Sequence, residues 1–207
     1  MSDISTILWD VGGVLLTNGW DHKERAAVLA HFNVDRAKFE EIHPEPNDEW
    51  EKGFISAEEY LQRTVFWEPR DFTAEQFLDA MKAESKLLSD SAIGILESLA
   101  ASQQVDLGIL NNEARELNDY RVEEFGFLGY FDFFFSSCYV GLRKPSPQIY
   151  RLALDVLQCE PSEVIFIDDR AGNVEAAKGL GINAICYEGS QKLAATLAGF
   201  GIELERN

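Results

Sequence analysis

The sequence predicts an α/β fold: a Rossmann-like parallel sheet with helices on both faces, carrying a small all-helical cap domain. Three observations predict it. Short apolar runs of strand length recur along the chain, and helical patterns separate them. One long stretch just after the first run holds helix starts but no convincing strand.

The first run is Thr6–Trp9. Residues 17–90 then break the alternation, with capping-box pairs at Asp21 and Glu24, Ser56 and Glu59, and Thr73 and Gln76. This stretch holds 17 acidic and 9 basic residues and three of the four tryptophans, Trp20, Trp50 and Trp67. A helical insert in that position reads as a lid over a ligand site. Strand patterns resume at Val105–Leu110, with a further candidate at Phe131–Phe135, then Val164–Ile167 and Ala184–Tyr187. A helix opens at Ser146 with Pro147 in its first turn. Another runs from about Asn173 to Leu180 and stops at Gly181. The expected division is a core of residues 1–16 and 91–207 and a cap of residues 17–90.

Composition bounds the partners. The chain has 207 residues, 46% hydrophobic and 12% aromatic, which excludes a disordered or collagen-like polymer. The formal charge of −18 argues against nucleic acid and against anionic membranes, since both demand a basic face. It also means that any anion site needs a local cation. Cys138, Cys159 and Cys186 are odd in number and lie in or beside apolar stretches, which suits buried thiols in a reducing compartment. The start, MSDISTILWDVGG, lacks the pattern of a signal peptide, so a soluble, cytoplasmic protein is expected.

Four elements carry chemistry. Asp10 ends the first strand and is followed by Gly12 and Gly13, which allow a sharp turn and close approach to a ligand at the carboxyl edge of the sheet. Asn111 and Asn112 follow the second strand; their amides suit an anionic oxygen, although Asn112 also suits an N-cap for a helix starting near Glu113. Lys144, in GLRKPSPQIY, is a compact ammonium able to hold a phosphoryl oxygen or balance carboxylates. Asp168 and Asp169 end a hydrophobic strand, a costly pairing unless a cation offsets it, and oxygen donors of this kind suit Mg2+. All of these fall at one edge of one sheet. Histidines 22, 31 and 43 all lie in the insert, none pairs at zinc-binding spacing, and they read as surface or interhelical residues.

In order and context, these segments resemble the haloacid dehalogenase-like hydrolase superfamily over almost the whole chain. The long insert resembles the subgroup whose cap lies between the first and second motifs. The IDD ending and RKPSPQIY are similar to the phosphatase domain of soluble epoxide hydrolases and to bacterial sugar-phosphate phosphatases. The resemblance implies Asp10 as nucleophile forming an aspartyl-phosphate, Asn111 and Lys144 as phosphoryl binders, and Asp169 as a direct Mg2+ ligand with Asp168 in support. It also implies a small phosphorylated metabolite as substrate. Two departures stand out. Gly12 replaces the usual acid/base Asp, so only its backbone carbonyl remains for the metal, and acid–base help worth ~10²–10⁴-fold is missing. Asn111 replaces the usual Ser or Thr. A catalytically weak binding or regulatory protein on the same scaffold is therefore the alternative. Receiver domains place the acidic pair near the first strand and are shorter, and the acidic pair argues against the metal-free dehalogenases.

Overall fold

The computed structural model describes residues 3–204. Five parallel strands form one sheet in the order β3-β2-β1-β4-β5. They are β1 Thr6–Trp9, β2 Asp106–Ile109, β3 Phe133–Phe134, β4 Val164–Asp168 and β5 Asn183–Cys186. The helices, in chain order, begin with α1 His22–His31, α2 Arg36–Ile42, α3 Pro44–Glu51, α4 Ala57–Thr64 and α5 Ala74–Ala83. They continue with α6 Ile93–Ser102, α7 Arg115–Glu124, α8 Ser137–Val140, α9 Pro147–Leu157, α10 Ala171–Lys178 and α11 Ser190–Gly199. The α/β class expected from the sequence is the one observed.

Strand periodicity explains the two covered faces. Side chains alternate along a strand, so Ile7, Trp9, Ile165 and Ile167 pack on one side against Leu96 and Leu99 of α6 and Leu197 of α11. Leu8, Val164 and Phe166 pack on the other against Tyr150 and Ala153 of α9 and Ala177 of α10. Both flanks of β1 are in register, Trp9 lying opposite Ile109 and Ile167, so the three central strands end at one level. The chain leaves β1 in one direction toward β2 and β3 and later returns to its other side as β4. The crevice between β1 and β4 is thus the topological switch point, where open α/β sheets bind ligands.

Some element bounds differ from expectation. Phe131–Phe135 yields only the two residues of β3, because an edge strand has one partner, although the Asp132 and Phe135 amides still bond to β2. The strand expected at Ala184–Tyr187 lies one residue earlier as β5. Helix α10 begins at Ala171 rather than Asn173 and ends at Lys178, with Gly181 at φ +88° beyond it. Asp21 caps α1 through the His22 amide, whereas Thr73 and Gln76 form the full reciprocal box on α5.

Helices α1–α5 fall between β1 and β2 and enclose an apolar cluster of their own, including Trp20, Phe39, Trp50, Tyr60 and Phe77. The cluster also takes in Ala114 and Leu117, so the insert is seated on α7 of the core. Two crossings join insert to core, and they are tied together. Thr17 bonds through its amide to Lys86 O (2.8 Å) and through its hydroxyl to Glu84 O (2.6 Å). Arg121 reaches both crossings from α7, donating to Thr17 O and to Ser85 Oγ, each at 3.0 Å. Its charge is met by Glu113 at 2.9 Å, with both side chains buried. Gly19, at φ +66°, lies so close that a Cβ there would stand 2.6 Å from Glu113 Oε2.

Removing Arg121 would leave Glu113 as an uncompensated buried charge and strip both crossings of a donor. The Arg121→Ala variant is expected to lose about 3–5 kcal/mol of stability. Urea unfolding checks this; a loss below about 1 kcal/mol would show that water enters and screens the pair.

Candidate active site

The residues singled out in the sequence converge at the β1–β4 crevice. Asp10 extends β1 by one residue, its amide bonded to Ile167 O at 2.8 Å, and its Oδ1 accepts from the Val11 amide at 2.8 Å. Lys144 Nζ stands 3.1 Å from Asp10 Oδ2 and 2.6 Å from Asp168 Oδ2. That ammonium is 2% exposed and also lies over the Phe166 ring, 5.2 Å from its centroid. Asp168 is fully buried and saturated: besides Lys144 it accepts from the Arg170 amide (2.7 Å) and from Asn173 Nδ2 at both oxygens. Asp169 differs, because its Oδ1 is buried without a hydrogen-bond partner. A Cβ on Gly13, at φ +73°, would fall 2.1 Å from Asp169 Oδ2, so only glycine lets the two loops meet.

The electrostatics of this cluster ask for a cation. Carboxylate oxygens of Asp10, Asp168 and Asp169 lie within 4.8 Å of one another. Burial pushes the Asp10 carboxyl up to about 7; Lys144 opposes the rise, and Asp168 and Asp169 add to it. Burial likewise raises Asp169, with Asp168 contributing. Three carboxylates against one ammonium leave two negative charges, the complement of a divalent ion. Together with the orphaned Asp169 oxygen, a hard oxygen-donor set of this kind fits Mg2+.

Asn111 and Asn112 part ways. Asn112 is used at both ends by the Lys144 backbone: Nδ2 donates to Lys144 O and Oδ1 accepts from Lys144 N, each at 2.8 Å. It is also not the expected N-cap, because α7 starts at Arg115 with Ala114 before it; the amide is already committed to the Lys144 loop. Asn111 is buried at the end of a relay. Tyr139 donates its hydroxyl proton to Asp119 and accepts from Asn118 Nδ2 (2.9 Å), and this orients Asn118 Oδ1 toward Asn111 Nδ2 at 3.1 Å. Gly12 lines the same crevice, and a Cβ there would meet Asn18 Oδ1 at 3.0 Å, so Asn18 crowds the space of the missing side chain.

A cavity of about 410 Å3 opens above Asp10, roofed by the insert, with Trp20, His43 and Asn47 among the lining residues. Arg170 pairs with Asp21 (2.8 Å), and Arg143 pairs with Asp48 (3.0 Å) and Glu51 (2.7 Å), so both arginines bridge core and insert at the rim. His43 was expected at a surface or between helices. It is 7% exposed, and burial, reinforced by the nearby Arg25, pushes its pKa down to about 4. Its Nδ1 lies 2.7 Å from the Tyr60 hydroxyl, which also receives the Trp20 Nε1 proton at 2.6 Å. The available signal was a polar stripe, His43, Asn47 and Glu51, at helical spacing along α3.

A carboxylate cluster and buried ammonium at the switch point of a capped parallel sheet define a class, the hydrolases built around an aspartate at the end of the first strand. A family model of haloacid dehalogenase-like hydrolases matches residues 4–181, and the chain belongs to that family. Flavin mononucleotide hydrolase 1 of Arabidopsis thaliana is 34% identical over 78% of this chain and 64% of its own length. The bifunctional epoxide hydrolase 2 of Sus scrofa is 48% identical over 27% of this chain and a tenth of its own. The matched regions thus span less than two thirds of these relatives. Among solved structures, a HAD family enzyme of Bacteroides thetaiotaomicron superposes with TM-score 0.81 at 20% identity, covering 95% of this chain and 99% of its own. The same enzyme in complex with magnesium and inorganic phosphate superposes with TM-score 0.74. At such identity these likenesses show the fold.

The buried imidazole gives a pH signature. His43 is faced by Arg25 and His22 of α1, the capping Asp21, Glu40 of α2 and Tyr60 of α4. With a folded pKa near 4 against 6.5 when free, the unfolded chain takes up a proton that the folded chain refuses. The contribution of neutral His43 is present above pH 6.5 and is lost as the pH falls toward 4. Urea unfolding of wild type and His43→Phe should therefore give stabilities whose difference shifts against the wild type by roughly 2 kcal/mol between pH 7 and pH 5. A pH-independent difference would show that the His43 imidazole titrates alike in the folded and unfolded chain, so that burial does not shift it.

Proposed function

We propose that this hydrolase is a Mg2+-dependent phosphatase of a small phosphorylated metabolite, acting through an aspartyl-phosphate on Asp10. The observation that carries the reading is the switch-point cluster: Lys144 is clamped between Asp10 and Asp168, while Asp169 turns an unpartnered oxygen inward. Phosphatase-named relatives support it, the flavin mononucleotide hydrolase and a phosphoglycolate phosphatase of Aquifex aeolicus that is 24% identical. Asp10, Asp169 and the Gly12 carbonyl would hold the ion, with Asp168 fixing Lys144 and the loop behind it. When bound, Mg2+ supplies positive charge opposite the phosphoryl oxygens and keeps Asp10 ionised.

The chain's own groups then divide the work. Lys144 and the Asn111 amide hold phosphoryl oxygens. The Asp10 oxygen attacks phosphorus in line, the ester P–O bond breaks, and the leaving oxygen takes its proton from water, since Gly12 offers none. Water then cleaves the acyl phosphate and returns Asp10. Residues 17–90 act as the lid that shuts bulk water out, with Arg143 and Arg170 as its latches. We place the protein in the cytoplasm, without nucleic-acid or membrane partners; among the described residues no helix is long and apolar enough to cross a membrane. A second reading, a binding or regulatory protein on this scaffold, is favoured only by Gly12 and Asn111, and it requires ligand binding without turnover.

A panel of phosphate esters with Mg2+ tests the proposal: Asp10→Asn should lose turnover by a factor on the order of 10³ or more. Turnover of the panel no greater than that of Asp10→Asn would overturn it in favour of the binding protein. Independently of activity, Mg2+ should raise the melting temperature of wild type and of Lys144→Ala but not of Asp169→Ala. Equal stabilisation of Asp169→Ala would put the metal elsewhere.

A further inference from the structure

The roof of the cavity carries a hydrogen-bonding pattern that neither the carboxylate cluster nor the phosphoryl site uses. His43, Asn47 and Glu51 succeed one another at single-turn spacing along α3, and all three line the cavity that contains Asp10 and Lys144. Donor and acceptor roles can be derived for each. An indole N–H only donates, so the Tyr60 hydroxyl accepts from Trp20 Nε1. The hydroxyl's own proton then goes to His43 Nδ1 at 2.7 Å, which makes Nδ1 an acceptor and puts the imidazole proton on Nε2. That Nε2–H has no partner among the described residues, and the side chain is more than nine-tenths buried. The ring cannot tilt away, being stacked on Phe39 and set edge-on to Tyr60.

One turn on, Asn47 donates its Nδ2 to Glu51 Oε1 at 2.8 Å, which leaves Asn47 Oδ1 as the free acceptor. Glu51 is held from the opposite side by Arg143 at 2.7 Å, directly before Lys144 in the chain. The roof therefore presents a fixed donor, a fixed acceptor and a carboxylate in sequence along one face. The large apolar residues of the lining, Trp20 and Trp50, are 7% and 1% exposed, so neither offers an open aromatic surface.

We propose that the His43–Asn47–Glu51 face of α3 is the specificity subsite of this cavity and takes the hydroxyl groups of a polyhydroxylated phosphate ester. Hydroxyls both donate and accept, and alternating fixed partners reward them where a planar hydrophobic ring gains nothing. His43 donates to a substrate oxygen; Tyr60, out of contact with substrate, is a positioning residue that sets the tautomer. The proposal rests on the phosphatase reading for its activity assay, and a tautomer measurement frees it from that dependence.

The experiment compares ribitol 5-phosphate and ethyl phosphate as substrates. Wild type should favour ribitol 5-phosphate in kcat/KM. His43→Phe should lose roughly three- to tenfold more on ribitol 5-phosphate than on ethyl phosphate, mainly through KM, and His43→Gln, which restores a donor, should recover part of that difference. Equal losses on both esters, or a wild-type preference for ethyl phosphate, would overturn the subsite. In parallel, nitrogen NMR of the 15N-labelled Asp10→Asn protein should show a neutral His43 protonated at Nε2 at pH 7. Ribitol 5-phosphate should shift that nitrogen and ethyl phosphate should not, and in Tyr60→Phe the tautomers should mix. If nothing is hydrolysed but the shift appears, the phosphatase reading fails and the subsite stands; a missing shift or an Nδ1 proton overturns the subsite whatever the activity.

Discussion

A single ammonium, that of Lys144, makes the rest of the centre possible. Three carboxylates meet at the carboxyl ends of β1 and β4, and like charges so close together repel one another unless a cation stands between them. Lys144 stands between two of them, and the fold spends several groups on keeping it there. Asn112 fixes the Lys144 peptide from both sides, and Asn173 and the Arg170 amide fill the remaining valences of Asp168. Buried ion pairs repay their desolvation poorly, so such an arrangement is hard to account for as a stabilising device. It is what electrostatic preorganisation requires: charges set in place before any ligand arrives, with no reorganisation left to perform.

That constraint explains which parts of the site were legible in the sequence. Asp10, Asp168 and Asp169 each terminate a run of apolar residues, and apolar runs report strands, so their common edge followed from the pattern alone. Lys144 was legible because it stands directly before a Pro–Ser–Pro turn in an acidic chain, where a loop cation is a natural partner for clustered carboxylates. The division of labour was not legible. Whether Asn112 caps a helix or holds Lys144 depends on a contact across 32 residues, and no local propensity encodes it. His43 is a similar case. Its ring is covered by Phe39 of α2 and Tyr60 of α4, and Tyr60, itself bonded by Trp20 from before α1, reaches it only once the insert has folded on itself.

The insert and the core share more than a covalent link. The insert's apolar cluster reaches Leu117 on α7, and α7 also supplies Arg121, which grips both chain crossings. Asn118, one turn before Arg121 is complete, orients Asn111 at the edge of β2. One helix of the core therefore sets the seat of the insert, its two hinges and an amide beside the carboxylate cluster. The rim ion pairs Arg170–Asp21 and Arg143–Glu51 add two further ties between insert and core at the mouth of the cavity. These pairs are partly exposed and individually weak, so the apolar seat on α7 and not the rim holds the insert in place.

The glycine at position 12 sits where the first loop and the crossing into the insert come close. At position 12 a side chain would meet Asn18 at 3.0 Å, and Asn18 belongs to the crossing into the insert. Restoring an aspartate there would require Asn18 to give by a few tenths of an ångström, so Gly12 and Asn18 fit one another. Charge follows a similar logic. The molecule as a whole carries −18, whereas the cavity lining balances five cations, Arg25, Arg121, Arg143, Lys144 and Arg170, against five carboxylates, Asp10, Asp21, Glu40, Glu51 and Glu113. At physiological ionic strength fields fade over about 8 Å, so an anionic ligand would feel these charges one by one only once it is inside. Selection then falls to short-range hydrogen bonding within the cavity, and it is there that the sequence has placed its one buried histidine.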